Sequence, residues 1–132
     1  MKKLISAKLA GNILLASFGL VAVFHVLVLL RVIPSDIVWG GQIGGSPANL
    51  QTLETISLIL TMLFMLIVAA SMDYILAGKF KTAARVGVWI IFAYLILNTV
   101  GNLASAVSFE NLIFAPITLF LALLALRLAI EK

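Results

Sequence analysis

Four side chains that can do chemistry lie within or at the edge of long apolar runs: His25, Glu54, Asn98 and Asn102. An imidazole and a carboxylate can form a hydrogen-bonded pair that passes a proton, binds a cationic group or serves as acid and base. Two asparagines one helical turn apart can orient such a pair or bind a polar headgroup. Because polar residues inside a membrane span are costly and usually face the interior, the sequence predicts an internal polar layer.

The spacing of these residues predicts a common depth. At about 1.5 Å per residue, His25 lies roughly 12 Å before the end of the first predicted helix, and Glu54 lies roughly 10 Å after the start of the second. Asn102 lies roughly 9 Å before the end of the third, with Asn98 one turn deeper. Trp39, in the loop above, is expected at headgroup depth. These five residues are the predicted ligand-binding set.

A structural role explains the same residues equally simply. Asn, Ser and His side chains link membrane helices routinely, at about 0.6 kcal/mol each on average. Glu54 lies only two turns into its helix, so its carboxylate could also reach the interface. In the loop, Asp36 and Gln42 either close a site or only hold turns through bonds to the backbone. The sequence leaves the binding and the structural interpretations open.

Other kinds of site are disfavoured by composition. The chain has no cysteine, so disulfides, thiolate catalysis and thiolate metal sites do not arise. Its single histidine does not make a usual zinc site without further nearby ligands. No serine elbow and no carboxylate cluster for two metals is evident. We therefore predict no metal and no cofactor, and an enzyme is the less favoured alternative.

The elements that must position these residues are four apolar runs. The runs without Lys, Arg, Asp or Glu are Leu9–Leu30, Thr55–Met72, Val86–Phe109 and Asn111–Leu126. A helix needs about 20 mostly apolar residues to cross a bilayer, and the shorter runs reach that length with their neutral or snorkelling neighbours. Hydrophobic residues make up 64% of the chain and charged residues 11%, unlike a soluble domain. The sequence therefore predicts an all-α membrane protein with one integral membrane domain, 1–132.

Local signals set the expected helix ends. The predicted helices are about 6–33, 47–77, 83–107 and 109–130. Pro34 follows the first helix, and Pro47 occupies a first helical position. Ser108 is a candidate cap for the fourth helix, with Glu110 in its first turn, and Pro116 either kinks that helix or marks its true start. The expected fold is an antiparallel four-transmembrane-helix bundle with an extracytoplasmic loop between helices one and two.

The basic residues predict the orientation. Of the nine, only Arg31 falls in the first or third connection. The other eight are Lys2, Lys3, Lys8, Lys79, Lys81, Arg85, Arg127 and Lys132. Because cytoplasmic segments collect Lys and Arg, we expect both termini in the cytoplasm, and anionic lipids rather than nucleic acid as the partners of these charges.

Three segments carry a resemblance. They are Ile33–Gln42, whose most specific part is Asp-Ile-Val-Trp-Gly-Gly, Leu97–Leu103 and Phe114–Thr118. With the length and the four-span layout, they resemble a group of small uncharacterised bacterial membrane proteins with four transmembrane helices. The resemblance extends over nearly the whole chain. It implies a fold and a multi-pass place in the bacterial cytoplasmic (inner) membrane, and no activity.

Several functions fit these expectations. The first is a small membrane protein that binds a lipid-like or amphipathic ligand in an outer-leaflet polar pocket, since helix bundles place ligand sites between facing helices. The second is a subunit of an oligomeric small-solute or proton transporter or channel, which needs other copies or a partner membrane protein. The third is a membrane enzyme using Glu54 and His25 in acid-base work, and the fourth is an accessory protein of a membrane complex.

Overall fold

A computed structural model of the chain describes residues 4–38 and 47–131. Four helices account for most of this part of the chain. They are α1 (Ala7–Leu29), α2 (Pro47–Ser71), α3 (Lys81–Ala104) and α4 (Ala115–Ala129). Short turns accompany them: two 3₁₀ turns at Ser35–Ile37 and Leu76–Gly78, and a π turn at Glu110–Phe114 that leads directly into α4.

Each of the four helices is long and apolar enough to cross a membrane, when the π turn is counted with α4. The described residues contain no strand. The prediction of an all-α protein with four membrane-length helices is therefore confirmed. Many large apolar side chains on the outside of the bundle are exposed, for example Leu20, Ile59 and Leu97. Such a surface suits lipid as its surroundings and not water.

The helices form a bundle in which each packs against two others. α1 contacts α2 and α4, and α3 also contacts α2 and α4. The core between them is made of small and aliphatic side chains with one tilted aromatic pair, Phe18 and Phe64, whose ring centroids lie 5.8 Å apart. α4 is the most deeply embedded helix, because 44% of its membrane-length window is buried and no other helix exceeds 28%.

Two glycines allow close packing of neighbouring helices. A Cβ added to Gly11 in α1 would lie 2.4 Å from Sδ of Met72, and one added to Gly87 in α3 would lie 2.7 Å from Cγ2 of Ile67. Real contacts are essentially never that short, so a larger residue at either position would force the facing side chain to move.

The helices α1 and α2 end earlier than predicted. α1 stops at Leu29, because Arg31 takes a left-handed conformation (φ 59°) and the chain turns away. α2 stops at Ser71 in the same manner, with Asp73 left-handed (φ 58°). Glycine is the usual residue at such a position, so its absence at both helix ends hides the stop signal from a sequence reading.

The start of α4 explains the position of Pro116. Proline has no N–H to donate and its ring crowds the carbonyl one turn earlier. The chain widens into the π turn just before it, where the N–H of Ala115 donates to the carbonyl of Glu110. The helical segment is therefore continuous from Glu110 to Ala129, with Pro116 in the first turn of its α-helical part.

A buried arginine joins the two ends of the described chain. Arg127 in the last turn of α4 is 5% exposed, and its Nε donates to the carbonyl of Ile5 at 2.7 Å. Its Nη1 donates to the carboxylate of Glu131, also at 2.7 Å. Ile5 precedes Ser6, whose hydroxyl caps α1 by accepting from the N–H of Leu9. The start of α1 is thus held against the end of α4.

Candidate functional site

His25 of α1 and Glu54 of α2 are in direct contact. Nδ1 of His25 lies 2.7 Å from Oε2 of Glu54, a hydrogen bond between residues 29 positions apart in the sequence. Glu54 is 1% exposed, and the side chain of His25 is 16% exposed. The carboxylate therefore does not reach out to an interface, and the interpretation that Glu54 merely emerges there is wrong. The pair couples α1 to α2 inside the bundle.

The contact fixes the orientation of the imidazole. A histidine whose Nδ1 is bonded to a carboxylate has its ring plane and its tautomer set by that bond. Its other ring nitrogen, Nε2, makes no hydrogen bond within the part of the chain that the structure describes. Since the ring is not fully buried, Nε2 is the atom of this pair that is left for a further partner.

Aromatic rings and aliphatic side chains surround the pair on the side of α1. Phe24 contacts His25 edge to face, with ring centroids 6.0 Å apart, and Phe114 at 5.4 Å. Val28 and Leu50, which lie within one turn of His25 and Glu54, are buried together with Val38. This apolar packing keeps water from the carboxylate of Glu54 and strengthens its interaction with the imidazole.

A pocket lies at the end of α1 and the beginning of α2, lined by residues close to His25 and Glu54 in the sequence. It has a volume of about 330 Å³ and is lined by Leu29, Arg31, Leu50, Gln51 and Thr55. Leu29 is four residues after His25 and Leu50 four residues before Glu54, so both occupy the same helix faces as the pair, one turn further along. Polar and apolar side chains are therefore both offered to a ligand at this end of the bundle.

The asparagines predicted for the same layer do not join the pair. Nδ2 of Asn102 donates to Oδ1 of Asn98 at 2.9 Å, along one face of α3. The described residues show no hydrogen bond from either amide to His25 or Glu54. Next to them, the hydroxyls of Thr99 and Thr118 bond each other at 2.9 Å and also bond carbonyls of their own helices. Polar links between α3 and α4 thus form a separate group.

A second buried carboxylate belongs to this other group. Glu110 is 7% exposed and accepts a hydrogen bond from the hydroxyl of Ser105. The same hydroxyl accepts from the N–H of Val107 at 3.0 Å, and the amide of Asn111 donates to the carbonyl of Leu103 at 2.8 Å. Ser105, and not the predicted cap Ser108, therefore supplies the hydroxyl that organises the turn between α3 and α4.

Sequence reasoning missed the burial of Glu110 and Arg127. Glu110 was predicted in the first turn of the fourth helix without any indication of its burial, although an apolar run begins directly after it. Arg127 was counted only among the basic residues of the cytoplasmic side, although Leu128, Ala129 and Ile130 continue the apolar run past it. An apolar continuation on the far side of a charge is the signal that could have revealed both.

Two predicted residues lie outside the described part. Trp39 and Gln42 fall in the segment 39–46, so the prediction that Trp39 lines the site stays a prediction. Asp36 lies in an exposed 3₁₀ turn. Among residues 4–38 and 47–131, no three His, Asp or Glu side chains lie close enough together to hold a metal ion. The pair of His25 and Glu54 is thus the central feature of the candidate site.

Comparison with known proteins gives no relative from which a role could be transferred. No family model, no curated protein and no solved structure matches this chain.

Proposed function

We propose that this chain is a small integral membrane protein that binds a lipid-like or amphipathic ligand at the polar pair of His25 and Glu54. The single observation that carries the proposal is the 2.7 Å contact between these side chains within an otherwise apolar interface of α1 and α2. An ionisable pair in such surroundings is expensive, and in membrane proteins such residues most often mark a functional path or site.

The division of roles follows from the contact. Glu54 orients the imidazole, and Nε2 of His25 makes the hydrogen bond to the ligand's polar group. The pocket at the adjoining end of α1 and α2, where Leu29 and Leu50 supply apolar walls, is proposed to hold the part of the ligand next to this group. Asn98 and Asn102 on α3 are proposed to offer further polar groups to the ligand, without contacting His25 or Glu54.

The proposed setting is a bacterial cytoplasmic membrane, with the site in the outer leaflet and both termini in the cytoplasm. Three contacts support an antiparallel order of α1 and α2. As the residue number rises along α1, the number of the residue that it contacts falls: Asn12 contacts Tyr74, just after α2, Phe18 contacts Phe64, and His25 contacts Glu54. Support for the orientation comes from the basic residues, of which only Arg31 is at the proposed outer end.

The test is ligand retention by purified protein. Native mass spectrometry of the wild type should detect an amphipathic molecule that co-purifies. Glu54→Gln keeps the size of the side chain and His25→Ala removes the imidazole, and both should lower the occupancy about tenfold or more, the equivalent of one charge-assisted hydrogen bond.

The matched control is Tyr74→Phe, which removes a polar link between α1 and the segment that follows α2, at the opposite end of the helix pair. The hydroxyl of Tyr74 donates to Oδ1 of Asn12 at 2.6 Å. This variant should retain the ligand like the wild type. If Glu54→Gln and His25→Ala leave both the ligand and the thermal stability unchanged, the pair is not a site and the proposal fails.

A further inference from the structure

The residue Arg31 occupies a position that normally belongs to glycine. Its φ of 59° is left-handed, its N–H donates to the carbonyl of Val28, and the N–H of Val32 donates to that of Leu27. This pattern is the Schellman motif, in which the left-handed residue is usually glycine. A long side chain there carries a conformational cost, and such costs persist where they serve a function.

The end of α2 offers an internal comparison. Asp73 occupies the equivalent left-handed position, with the N–H of Tyr74 donating to the carbonyl of Ala69. Aspartate tolerates this conformation better than most residues, and here it also pairs with Lys81 at 2.9 Å. In the described residues no carboxylate pairs with Arg31. Its five N–H donors therefore lack the kind of partner that would account for an arginine at this place.

The surroundings of Arg31 indicate what such a partner is. Arg31 lines the pocket at the end of α1 and the start of α2, together with the polar side chains of Gln51 and Thr55. The same pocket is lined by Leu29 and Leu50, and the apolar spans begin directly below it. A guanidinium beside amide and hydroxyl groups binds a phosphate, and apolar walls next to it suit the first carbons of an acyl chain.

We propose that Arg31 makes this pocket a binding site for the phosphodiester headgroup of an anionic phospholipid. Arg31 pairs with the phosphate, Gln51 and Thr55 bond the headgroup's oxygens, and Leu29 and Leu50 contact the glycerol and the upper acyl chain. The inference rests on the proposed function, since it names the chemical class of the amphipathic ligand. It goes beyond general attraction of basic residues to lipid, because it assigns one lipid to one pocket.

The experiment compares Arg31→Gly with the wild type in detergent, by native mass spectrometry with added phosphatidylglycerol. Glycine removes the guanidinium and relieves the left-handed strain. Arg31→Gly should therefore raise the unfolding midpoint while lowering the phosphatidylglycerol occupancy about tenfold. Arg31→Lys should retain part of the binding. These opposite changes cannot come from a damaged fold. An occupancy equal to that of the wild type overturns the inference.

Two controls separate the pocket from a general surface charge. Arg85→Gln removes an exposed arginine at the first turns of α3 and should leave the tightly bound lipid in place. Gln51→Trp fills the pocket but keeps Arg31, and should displace the lipid as Arg31→Gly does. If Gln51→Trp leaves phosphatidylglycerol bound, the pocket is not its site and the inference is wrong.

Competition distinguishes lipid from free phosphate. Inorganic phosphate at millimolar concentration should leave the bound phosphatidylglycerol in place, and full displacement would overturn the assignment to a lipid. The outcome is also separable from that of the proposed function. If Glu54→Gln loses the ligand but Arg31→Gly binds it normally, only the present inference is wrong. If Arg31→Gly loses the ligand but Glu54→Gln binds it normally, only the proposed role of the pair is wrong.

Discussion

The carboxylates of Glu54 and Glu110 are both buried, but their partners come from different distances along the chain. Glu54 bonds a histidine 29 positions away on another helix, whereas Glu110 bonds Ser105, five positions away in its own turn. The first contact forms only after two helices have packed together. The second is available to a single helical hairpin. The difference teaches that burial of a charge does not by itself identify a site.

The local contact has a sufficient structural explanation. Ser105 joins Glu110 to the N–H of Val107 and so shapes the turn between α3 and α4. No comparable backbone group is bonded by the imidazole of His25 in the described residues. The imidazole therefore does less for the local chain conformation and keeps one ring nitrogen for other chemistry. This contrast is the reason that we place the ligand at Glu54 and not at Glu110.

The largest effect is expected from Glu54→Ala. Truncation removes the buried carboxylate and leaves the half-buried imidazole of His25 without its partner, and breaking such a pair costs about 3 kcal/mol of unfolding free energy. Glu54→Gln should cost much less, because the amide oxygen still accepts a hydrogen bond. Unfolding by SDS in mixed micelles measures both. Equal losses for the two variants would mean that packing and not the hydrogen bond matters.

Arg127→Met should have the second largest effect. It removes the bond to the carbonyl of Ile5 and the pairing with Glu131, while it keeps most of the buried volume. We expect a loss of about 2 kcal/mol, typical of a buried charged hydrogen bond, with faster proteolysis of the N-terminal segment. Unchanged unfolding would show that the apolar contacts of α4 alone hold the start of α1.

Ser105→Ala tests the contact of Glu110, which is the local one of the two carboxylate contacts. It deprives Glu110 of a donor and Val107 of an acceptor, and should lower the unfolding free energy by about 1 kcal/mol. Ligand occupancy should remain that of the wild type. A loss of ligand as large as that in Glu54→Gln would break the distinction between the two carboxylates.

Tyr74→Phe tests whether the stability that a polar contact provides depends on its burial or on the sequence distance between its partners. The bond from Tyr74 to Asn12 joins residues 62 positions apart, but it is exposed. We therefore expect a loss of only about 0.5 kcal/mol in the same unfolding assay. A loss equal to that of Glu54→Ala would mean that long-range polar links stabilise this bundle whatever their burial.

Hydropathy predicted the helices, and polar spacing indicated that His25 and Glu54 could pair, for a clear physical reason. Apolar runs of membrane length have to be helical, because backbone groups in lipid must be bonded within their own segment. Residues at equal depth on adjacent helices then meet if they share the inner face. Sequence spacing does not fix the direction in which a side chain faces, and Asn98 and Asn102 bond each other and not the pair.

The positions of the helix ends and the burial of Glu110 were not predictable from hydropathy and spacing. Arg31 and Asp73 end their helices from left-handed positions without the glycine that normally signals such a turn. The burial of Glu110 depends on the hydroxyl of Ser105 and on a π turn before Pro116, which arise from the local geometry of one connection. Periodicity and composition carry no information on such details.

The most direct test of the central claim is a double-mutant cycle on His25→Ala and Glu54→Ala, with the unfolding free energy measured for both single variants and the double variant. Because the two side chains act as one hydrogen-bonded unit, we predict a coupling of at least about 1 kcal/mol, with the double variant little worse than Glu54→Ala alone. Losses that add to within about 0.3 kcal/mol would contradict the account, since the two residues would then act independently.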